Sequence, residues 1–159
     1  MLRPTIPEDT PELTTLTAET GFFRPDEIAT LHEVLDDYHA ATRDGEGHLC
    51  FTLLESNHIA GFVYFTPAPM SLGAWQLWWI VVRKETQAKG LGGSMLRFVE
   101  DEIRRRRGRL LFIETSSLPI YEPTRRFYVK YEYERHAVLK DYYLPGDDMV
   151  IYRKDLMSP

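Results

Sequence analysis

Three glycines stand close together near the middle of the chain, at Gly90, Gly92 and Gly93. The apolar run before them, residues 75–82, is too short for a helix and rich in strand formers, whereas apolar residues from Leu91 onward recur at the helical period. A strand, a glycine loop and a helix start leave backbone N–H groups free at the positive end of a helix dipole. This pattern predicts a site for a phosphate or diphosphate, and it is also typical of a tight turn that binds nothing.

Two common phosphate-binding loops do not fit this segment. A P-loop requires a Lys-Ser or Lys-Thr pair after its glycines, and none follows here. A dinucleotide fingerprint requires a third glycine where this chain has Met95, and it starts directly after the strand, whereas residues 83–89 form a polar connector here. A third pattern, Q/R-x-x-G-x-G/A, is matched by Gln87-Ala88-Lys89-Gly90-Leu91-Gly92.

This loop resembles the coenzyme-binding loop of the GNAT superfamily of N-acetyltransferases, and the resemblance extends downstream. In that family a strand ending in Glu-Thr is followed by a short helix carrying Phe-Tyr-x-Lys, as in Glu114-Thr115 and Phe127-Tyr128-Val129-Lys130 here. The likeness covers roughly residues 75–154, and the N-terminal half agrees only in its order of elements. One departure is Glu132-Tyr133, where the family usually has Gly-Phe, so the chain can leave this helix differently.

The resemblance implies acetyl-CoA as a cosubstrate. Its pantetheine arm is expected to pair with the backbone of the strand before the loop, and its pyrophosphate to lie on residues 87–94, with Gln87 and Lys89 beside the backbone amides. Lys89 fits a solvated surface lysine equally well. The residues expected to bind the coenzyme are Ile80, Val81, Val82, Gln87, Ala88, Lys89, Gly90, Leu91, Gly92, Gly93, Ser94 and Phe127.

Acetyl transfer from a thioester to an amine requires aligned reactants, removal of a proton from the amine and protonation of the leaving thiolate. Tyr128 is the candidate acid, because a phenol with a pKa of about 10 can donate a proton to a thiolate whose thiol has a pKa of about 8.5. Glu114 is the candidate base, acting through a water molecule. The structural alternatives are an ordinary core aromatic for Tyr128 and a carboxylate bound to neighbouring backbone for Glu114.

Other carboxylates are weaker candidates. Some relatives carry a glutamate on the strand before the loop, but this chain has Gln76, Trp78 and Trp79 there, so that mechanism is not supported. The carboxylates in predicted loops, which would equally suit a cationic substrate, are Glu122, Asp147 and Asp148.

Three further signals favour structural roles. His32, Asp36 and His39 share a predicted helix face at a spacing that can bind metal, but no further ligand accompanies them, and no metal is expected. Cys50 lies in a predicted strand and is expected to be a buried thiol. Four arginines at residues 104–107 fit a solvated helix end, with contact to a coenzyme 3′-phosphate or an acidic partner as the alternative.

The composition predicts one domain over residues 1–159, with 43% hydrophobic residues to form a core. A net charge of −5 disfavours nucleic-acid binding, and no apolar run reaches the roughly 18 residues of a membrane span. The single cysteine excludes an intrachain disulfide and leaves the redox compartment open. The N-terminal residues lack the apolar core of a signal peptide, which predicts a cytoplasmic location.

The predicted elements follow the order β-α-α-β-β-β-α-β-α-β-β, a mixed α/β fold. Strands are expected at residues 2–5, 48–55, 58–66, 75–82, 109–115, 134–143 and 149–154. Helices are expected at about residues 10–20, 25–43, 91–107 and 123–131, with a turn at 44–47. This order matches the topology of the family that the chain resembles, and the resemblance implies a GNAT-like fold, in which a central, mostly antiparallel sheet of about seven strands carries four helices on its two faces.

The expected function is transfer of an acetyl group from acetyl-CoA to a primary amine of a small molecule or peptide, by direct attack in a ternary complex. Residues 139–148 resemble, over a short stretch, the Tyr-Tyr…Gly-Glu-Asp end of ribosomal-protein N-terminal acetyltransferases. Two alternatives stay open. The protein could be an inactive acyl-CoA sensor or interaction module, or an enzyme that binds a nicotinamide cofactor, with Glu114 as the ligand of the cofactor's ribose. No nucleic acid or membrane partner is expected, and a homodimer is the assembly considered.

Overall fold

The computed structural model describes residues 1–40 and 47–158. Its strands are β1 (Leu2–Pro4), β2 (Leu49–Glu55), β3 (His58–Pro67), β4 (Ala74–Val82), β5 (Leu110–Ser116), β6 (Glu134–Leu144) and β7 (Asp147–Asp155). Its α-helices are α1 (Thr10–Glu19), α2 (Pro25–His39), α3 (Leu91–Arg105) and α4 (Glu122–Lys130), and short 3₁₀ turns lie at Pro7–Asp9, Lys84–Lys89 and Pro119–Tyr121. The predicted mixed α/β fold with its seven-stranded sheet is confirmed. Over the residues described, no helix is both long and apolar enough to cross a membrane.

The sheet has the strand order β1-β2-β3-β4-β5-β7-β6. Its neighbours are antiparallel except β4 and β5, which are parallel because α3 crosses from the end of one to the start of the other. The β4–β5 pairing extends only from Ala74 with Leu110 to Leu77 with Ile113. Beyond this point β4 continues beside β3 to Val82 and β5 continues beside β7, so the two strands part and a gap opens in the sheet.

Helices cover both faces of the sheet and form two separate cores. The buried apolar residues of α3 are Met95, Leu96, Val99 and Ile103. The buried leucines of α1 and α2, on the opposite face, are Leu13, Leu16, Leu31 and Leu35. Each such side chain contributes about 1.5–3 kcal/mol when it is fully buried. The α3 core includes residues of both β4 and β5, so it holds these strands together at the end where they pair.

A bulge in β4 changes which side chains face each core. The register passes from Leu77 opposite Phe65 to Trp79 opposite Tyr64, so Trp78 is the extra residue. Leu77 therefore packs in the α3 core, whereas Trp79 packs against the core under α1 and α2. Without the extra residue, strict alternation would place both side chains on one face.

The last hairpin is tighter than predicted. The loop expected at residues 144–148 is reduced to Pro145 and Gly146, because β7 already begins at Asp147, which pairs with Leu144. Gly146 has φ +85°, and proline followed by glycine at positive φ is the residue pair that a type II turn favours.

The predicted connectors before α3 and α4 are partly helical. Residues 83–89 contain the 3₁₀ turn Lys84–Lys89, and residues 116–122 contain the 3₁₀ turn Pro119–Tyr121. The end of α2 expected near residue 43, and most of the turn expected at residues 44–47, lie outside the described residues.

The chain leaves α4 through a residue in the left-handed conformation. Glu132 has φ +68°, which costs a side-chain-bearing residue roughly 1–2 kcal/mol and which glycine adopts freely. The Glu132 N–H donates to Val129 O, and the Tyr133 N–H donates to Tyr128 O, each at 3.0 Å. The Glu-Tyr pair therefore makes a turn that glycine would make at lower cost, and it returns Tyr133 to the core.

Candidate active site

A cleft of about 500 Å³ opens where β4 and β5 part. One end is lined by the glycine loop, by Lys130 at the end of α4 and by Tyr131, which follows it. The other end is lined by the connection between α1 and α2, by the β4 bulge and by Tyr121. Glu114, at the end of β5, and Tyr128 of α4 lie in the lining of the same cleft.

The glycine loop presents an uncapped helix start to this cleft. Gly90 has φ +73° and precedes the first residue of α3, and no side chain of the described residues caps the helix. The Ser94 N–H donates to Gly90 O at 3.2 Å, so the N–H groups of residues 91–93 precede the first intrahelical bond. A Cβ on Gly93 would overlap the Tyr131 hydroxyl, so α4 lies directly against this turn. Free N–H groups at a helix start are a suitable seat for a diphosphate.

The end of β4 offers the cleft an unpaired backbone edge. Beyond Leu77 this strand pairs only with β3 among the residues that the structure describes, so its other edge faces the gap. Ile80 and Val82 are half-buried there, while Val81 points into the core under α1 and α2. The Gln87 side chain donates from Nε2 to Val82 O at 3.2 Å, which ties the glycine loop to this edge. An extended ligand can hydrogen-bond such an edge as a further strand does.

Most of the predicted coenzyme residues line the cleft, but three do not. Lys89 lies 3.1 Å from Glu55 Oε1, an exposed ion pair outside the lining. The Ser94 hydroxyl donates to Gly90 O at 3.3 Å, and Leu91 packs against the α3 core. The predicted residues that do line it are Ile80, Val81, Val82, Gln87, Ala88, Gly90, Gly92, Gly93 and Phe127.

Tyr128 is almost fully buried, with 4% of its surface exposed. Its ring packs on those of Phe127 and Tyr152, with centroids 5.5 and 5.6 Å away. The Tyr128 hydroxyl has no hydrogen-bond partner within residues 1–40 and 47–158. In those ranges every fully buried side-chain oxygen has a partner, so this hydroxyl is not fully buried. Since Tyr128 lines the cleft, the hydroxyl is open to it. Burial raises the pKa of Tyr128, which keeps the phenol protonated.

Glu114 is half-buried at the end of β5. Burial raises the pKa of this carboxyl, and a hydrogen bond with Gln76 acts in the opposite direction. The pKa of Tyr143 in β6 is raised mainly by burial and next by the negative charge of Glu114. This effect means that the two side chains lie near each other. A carboxyl group with a raised pKa is better matched to proton transfer near neutral pH than an exposed one.

The other candidate carboxylates have structural partners. Asp147 is buried and accepts a hydrogen bond from the Ser116 hydroxyl, which joins the last hairpin to β5. Asp148 accepts the Asp141 N–H at 2.8 Å. Glu122 is exposed and lies 3.8 Å from Arg126.

The signals that favoured structural roles also have local partners. His32 lies 3.2 Å from Asp36, whereas His39 is 3.1 Å from the Thr10 hydroxyl, and the described residues contain no group of three or more metal-binding side chains. Cys50 is buried, and burial raises its pKa to about 12. The arginines at residues 104–106 form ion pairs with acidic residues of α3 itself.

Sequence reasoning assigned no role in the site to three aromatic residues that line the far end of the cleft, Phe22, Phe23 and Tyr121. A Phe-Phe pair between two polar helix ends was the available signal, because exposed connections rarely carry two large aromatics. Their assembly depends on contacts between distant segments. The Tyr121 hydroxyl donates to Phe22 O, and the two rings lie 5.8 Å apart.

The chain was compared with protein families, with curated proteins and with solved structures. The acetyltransferase (GNAT) family model matches residues 12–133. No curated protein matches. A GNAT-family protein from Desulfovibrio desulfuricans has 35% sequence identity, with 98% of each chain covered and a TM-score of 0.93. The chain has the fold of this family, and it belongs to the acetyltransferase (GNAT) family.

Two more distant structures share the fold. An aminoglycoside 6′-N-acetyltransferase in complex with coenzyme A has 15% identity and a TM-score of 0.77, with 100% of this chain and 98% of that chain covered. The ribosomal-protein-S18-alanine N-acetyltransferase from Escherichia coli has 19% identity and a TM-score of 0.74, with 100% and 95% covered. At these identities the likeness concerns the fold alone.

Proposed function

We propose that this protein transfers an acetyl group from acetyl-CoA to a primary amine by direct attack in a ternary complex. The observation that carries the proposal is the cleft itself, which joins an uncapped helix start at one end to Glu114 and Tyr128 further along. Membership of the GNAT family and a coenzyme A complex of a structural neighbour support the same assignment.

The coenzyme would be held mainly by backbone groups. The free edge of β4 at residues 80–82 would pair with the pantetheine arm, and the N–H groups at the start of α3 would bind the diphosphate. The Gln87 side chain already donates to Val82 O at this edge. Lys89 would have to leave Glu55 to reach a phosphate, which costs little because an exposed ion pair contributes only about 0–1 kcal/mol.

The chemistry needs two proton transfers, one from the amine to this chain and one from this chain to the sulfur. The amine lone pair forms the new N–C bond, and the C–S bond breaks with its electron pair left on sulfur. Glu114, through a water molecule, would take the proton that the amine loses. Tyr128 would give its hydroxyl proton to the sulfur. Burial raises the pKa of Tyr128, and a thiolate that loses its water beside this phenol would gain proton affinity for the same reason, so the transfer would stay feasible.

Two titrations and one kinetic comparison test this function. Calorimetry should show binding of acetyl-CoA and none of NADH, and free thiol should appear when a mixture of primary amines is added. Tyr128→Phe should still bind acetyl-CoA but release thiol at least about a hundredfold more slowly.

The matched control is Tyr133→Phe, which removes a hydroxyl of the same core that donates to Glu100 at 2.8 Å. This variant should lose roughly 1–3 kcal/mol of stability and keep its turnover. Thiol release by Tyr128→Phe at the parental rate would remove Tyr128 from the mechanism. Binding of acetyl-CoA without turnover of any amine would instead favour an acyl-CoA sensor.

A further inference from the structure

The acceptor end of the cleft has a wall of aromatic side chains and one carboxylate. We call this surface the aromatic pocket, and its residues are Phe22, Phe23, Trp78, Trp79, Tyr121 and Glu114. It lies opposite the glycine loop, across the gap between β4 and β5.

The aromatic wall is built from two pairs of rings. Phe23 lies on Trp79 with centroids 5.1 Å apart, and Phe22 lies on Tyr121 with centroids 5.8 Å apart. The Tyr121 hydroxyl also donates to the Phe22 carbonyl. These contacts fix the connection between α1 and α2 to the segment before α4. The pocket is therefore shaped before a substrate arrives.

Charge in this pocket is confined to one place. Of the described residues that line the whole cleft, only Glu114 and Lys130 carry charge, and Lys130 lies at the coenzyme end beside the Tyr131 ring. Two further acids, Glu27 and Asp147, act on Tyr143 and also on Tyr121 of this pocket, but neither of them lines the cleft. Of these, Glu27 accepts the Arg24 N–H at 2.7 Å, and Asp147 is held by the Ser116 hydroxyl. A substrate with several positive charges would therefore find only one carboxylate in the described lining of the pocket, and its other charges would face mainly aromatic side chains.

On the basis of the proposed function, we infer that the acetyl acceptor is a primary monoamine carried on an apolar, preferably aromatic, body. Its ammonium group would meet Glu114 and the ring faces, which attract cations, while its body would replace water against the phenylalanines and tryptophans. A polycationic amine would bury an unpaired charge and is a poor acceptor. Two sources share this chemistry: a free arylalkylamine, and the α-amine of a peptide that begins with an aromatic residue.

The decisive experiment compares two amines that differ by a single charge. Thiol release from acetyl-CoA is measured with hexylamine and with hexamethylenediamine. We expect kcat/KM to be at least about tenfold higher for the monoamine. A diamine that is equal or better would overturn the inference while leaving the acetyltransferase assignment intact, because thiol would still be released.

Two substrates then distinguish the sources. Phenethylamine represents a free arylalkylamine and is compared with the diamine that carries the lysine side chain in place of the phenylalanine one. A tripeptide with N-terminal phenylalanine represents a peptide and is compared with the same tripeptide beginning with lysine. Preference for the phenylalanine compound over its lysine counterpart supports the inference in either series, and the series with the higher kcat/KM identifies the source. Preference for lysine in both series would overturn it.

A variant pair checks that the wall sets the preference. Phe22→Asp adds a second carboxylate to the pocket, and it should lower the ratio of monoamine to diamine kcat/KM at least about tenfold. Phe22→Leu keeps the wall apolar and should keep the ratio. An unchanged ratio in Phe22→Asp would overturn the inference.

A binding measurement covers the case in which no amine is turned over. If the protein binds acetyl-CoA but releases no thiol, hexylamine and hexamethylenediamine are titrated by calorimetry into the complex with coenzyme A. Tighter binding of hexylamine supports the inference, and equal or weaker binding overturns it. A failure to bind acetyl-CoA at all would contradict the proposed function. The calorimetric titration with acetyl-CoA detects that failure independently of the amine comparison.

Discussion

Burial acts in the same direction on the two candidate catalytic side chains. Both Tyr128 and Glu114 have a raised pKa, and loss of water is the largest cause for each. For the phenol this means that the proton-donating form persists across the neutral range. For the carboxyl it means that deprotonation occurs closer to the pH at which an amine is acetylated, which suits a proton acceptor.

The pH dependence of the rate should identify the base. If Glu114 accepts the amine proton, kcat/KM should fall as the pH drops through a value above the ordinary range of glutamate, because its folded pKa is raised. Glu114→Gln should have a much lower rate and lack this acidic limb, whereas Glu114→Asp should retain a limb. Rates measured across acidic to alkaline pH with acetyl-CoA and one amine decide the matter. An unchanged limb in the glutamine variant would exclude Glu114 as the base.

Stability offers an independent readout of the same group. The folded state holds the Glu114 proton more tightly than the unfolded chain, so this carboxyl makes the protein less stable as the pH rises from the ordinary glutamate pKa through the folded value. Glu114→Gln should remove that part of the pH dependence and be at least as stable as the parent at neutral pH. Urea unfolding at acidic and neutral pH measures both.

At the scale of single elements, the end of α4 carries an avoidable strain. Glu132 adopts φ +68°, and it is exposed, so its side chain does not contribute to the core. We expect Glu132→Gly to raise the free energy of unfolding by roughly 0.5–1 kcal/mol. Glycine removes the cost of the left-handed conformation, but part of this gain is lost because glycine is more flexible in the unfolded chain.

The control for this prediction is Glu132→Ala, which removes the same charge but keeps the Cβ. It should give no comparable gain in urea unfolding. Equal effects of the two substitutions would mean that charge, and not backbone conformation, governs this position.

At the scale of the whole molecule, the parted sheet is held from both faces while its gap is left open. The α3 core bridges β4 and β5 where they pair, and the core under α1 and α2 supports the far end of β4. A ligand in the gap would contact β4, α3 and α4 together. Its binding should therefore stabilise the whole fold and not one segment.

Ligand-linked unfolding tests this expectation. Acetyl-CoA at a hundredfold excess over its Kd should raise the free energy of unfolding by about 2.7 kcal/mol. Tyr128→Phe should show the same increase, because its hydroxyl is assigned to proton transfer and not to binding. No increase in the parent protein, in thermal unfolding followed with rising acetyl-CoA, would contradict binding in the gap.

Much of the fold was predictable because its determinants are local. The glycine loop, the apolar stripe of α3 and the proline in the first turn of α4 each act within a few residues, so element order followed from periodicity and caps. Boundaries were less predictable. β7 begins two residues earlier than expected because a turn of only Pro145 and Gly146 suffices to reverse the chain.

The candidate site was predictable only in part, and the division follows sequence distance. The glycine loop and the Phe-Tyr-x-Lys helix are continuous motifs, so residues that line the cleft, such as Gln87 and Phe127, could be named from the sequence. Lys89 was named with them, yet it pairs with Glu55, which lies 34 residues away. No local pattern shows which acid a flexible lysine will meet.

By itself, the sequence determined the order of helices and strands, the kind of loop before α3 and the residue types available for proton transfer. Only the tertiary structure decided that β4 and β5 part after Leu77, that the extra residue Trp78 turns Trp79 towards α1 and α2, and that Phe22 meets Tyr121 across 99 residues. The physical reason is that periodicity and caps act between neighbours in the chain. A cleft arises where surfaces from distant segments fail to pair, and its shape depends on packing that no single segment specifies.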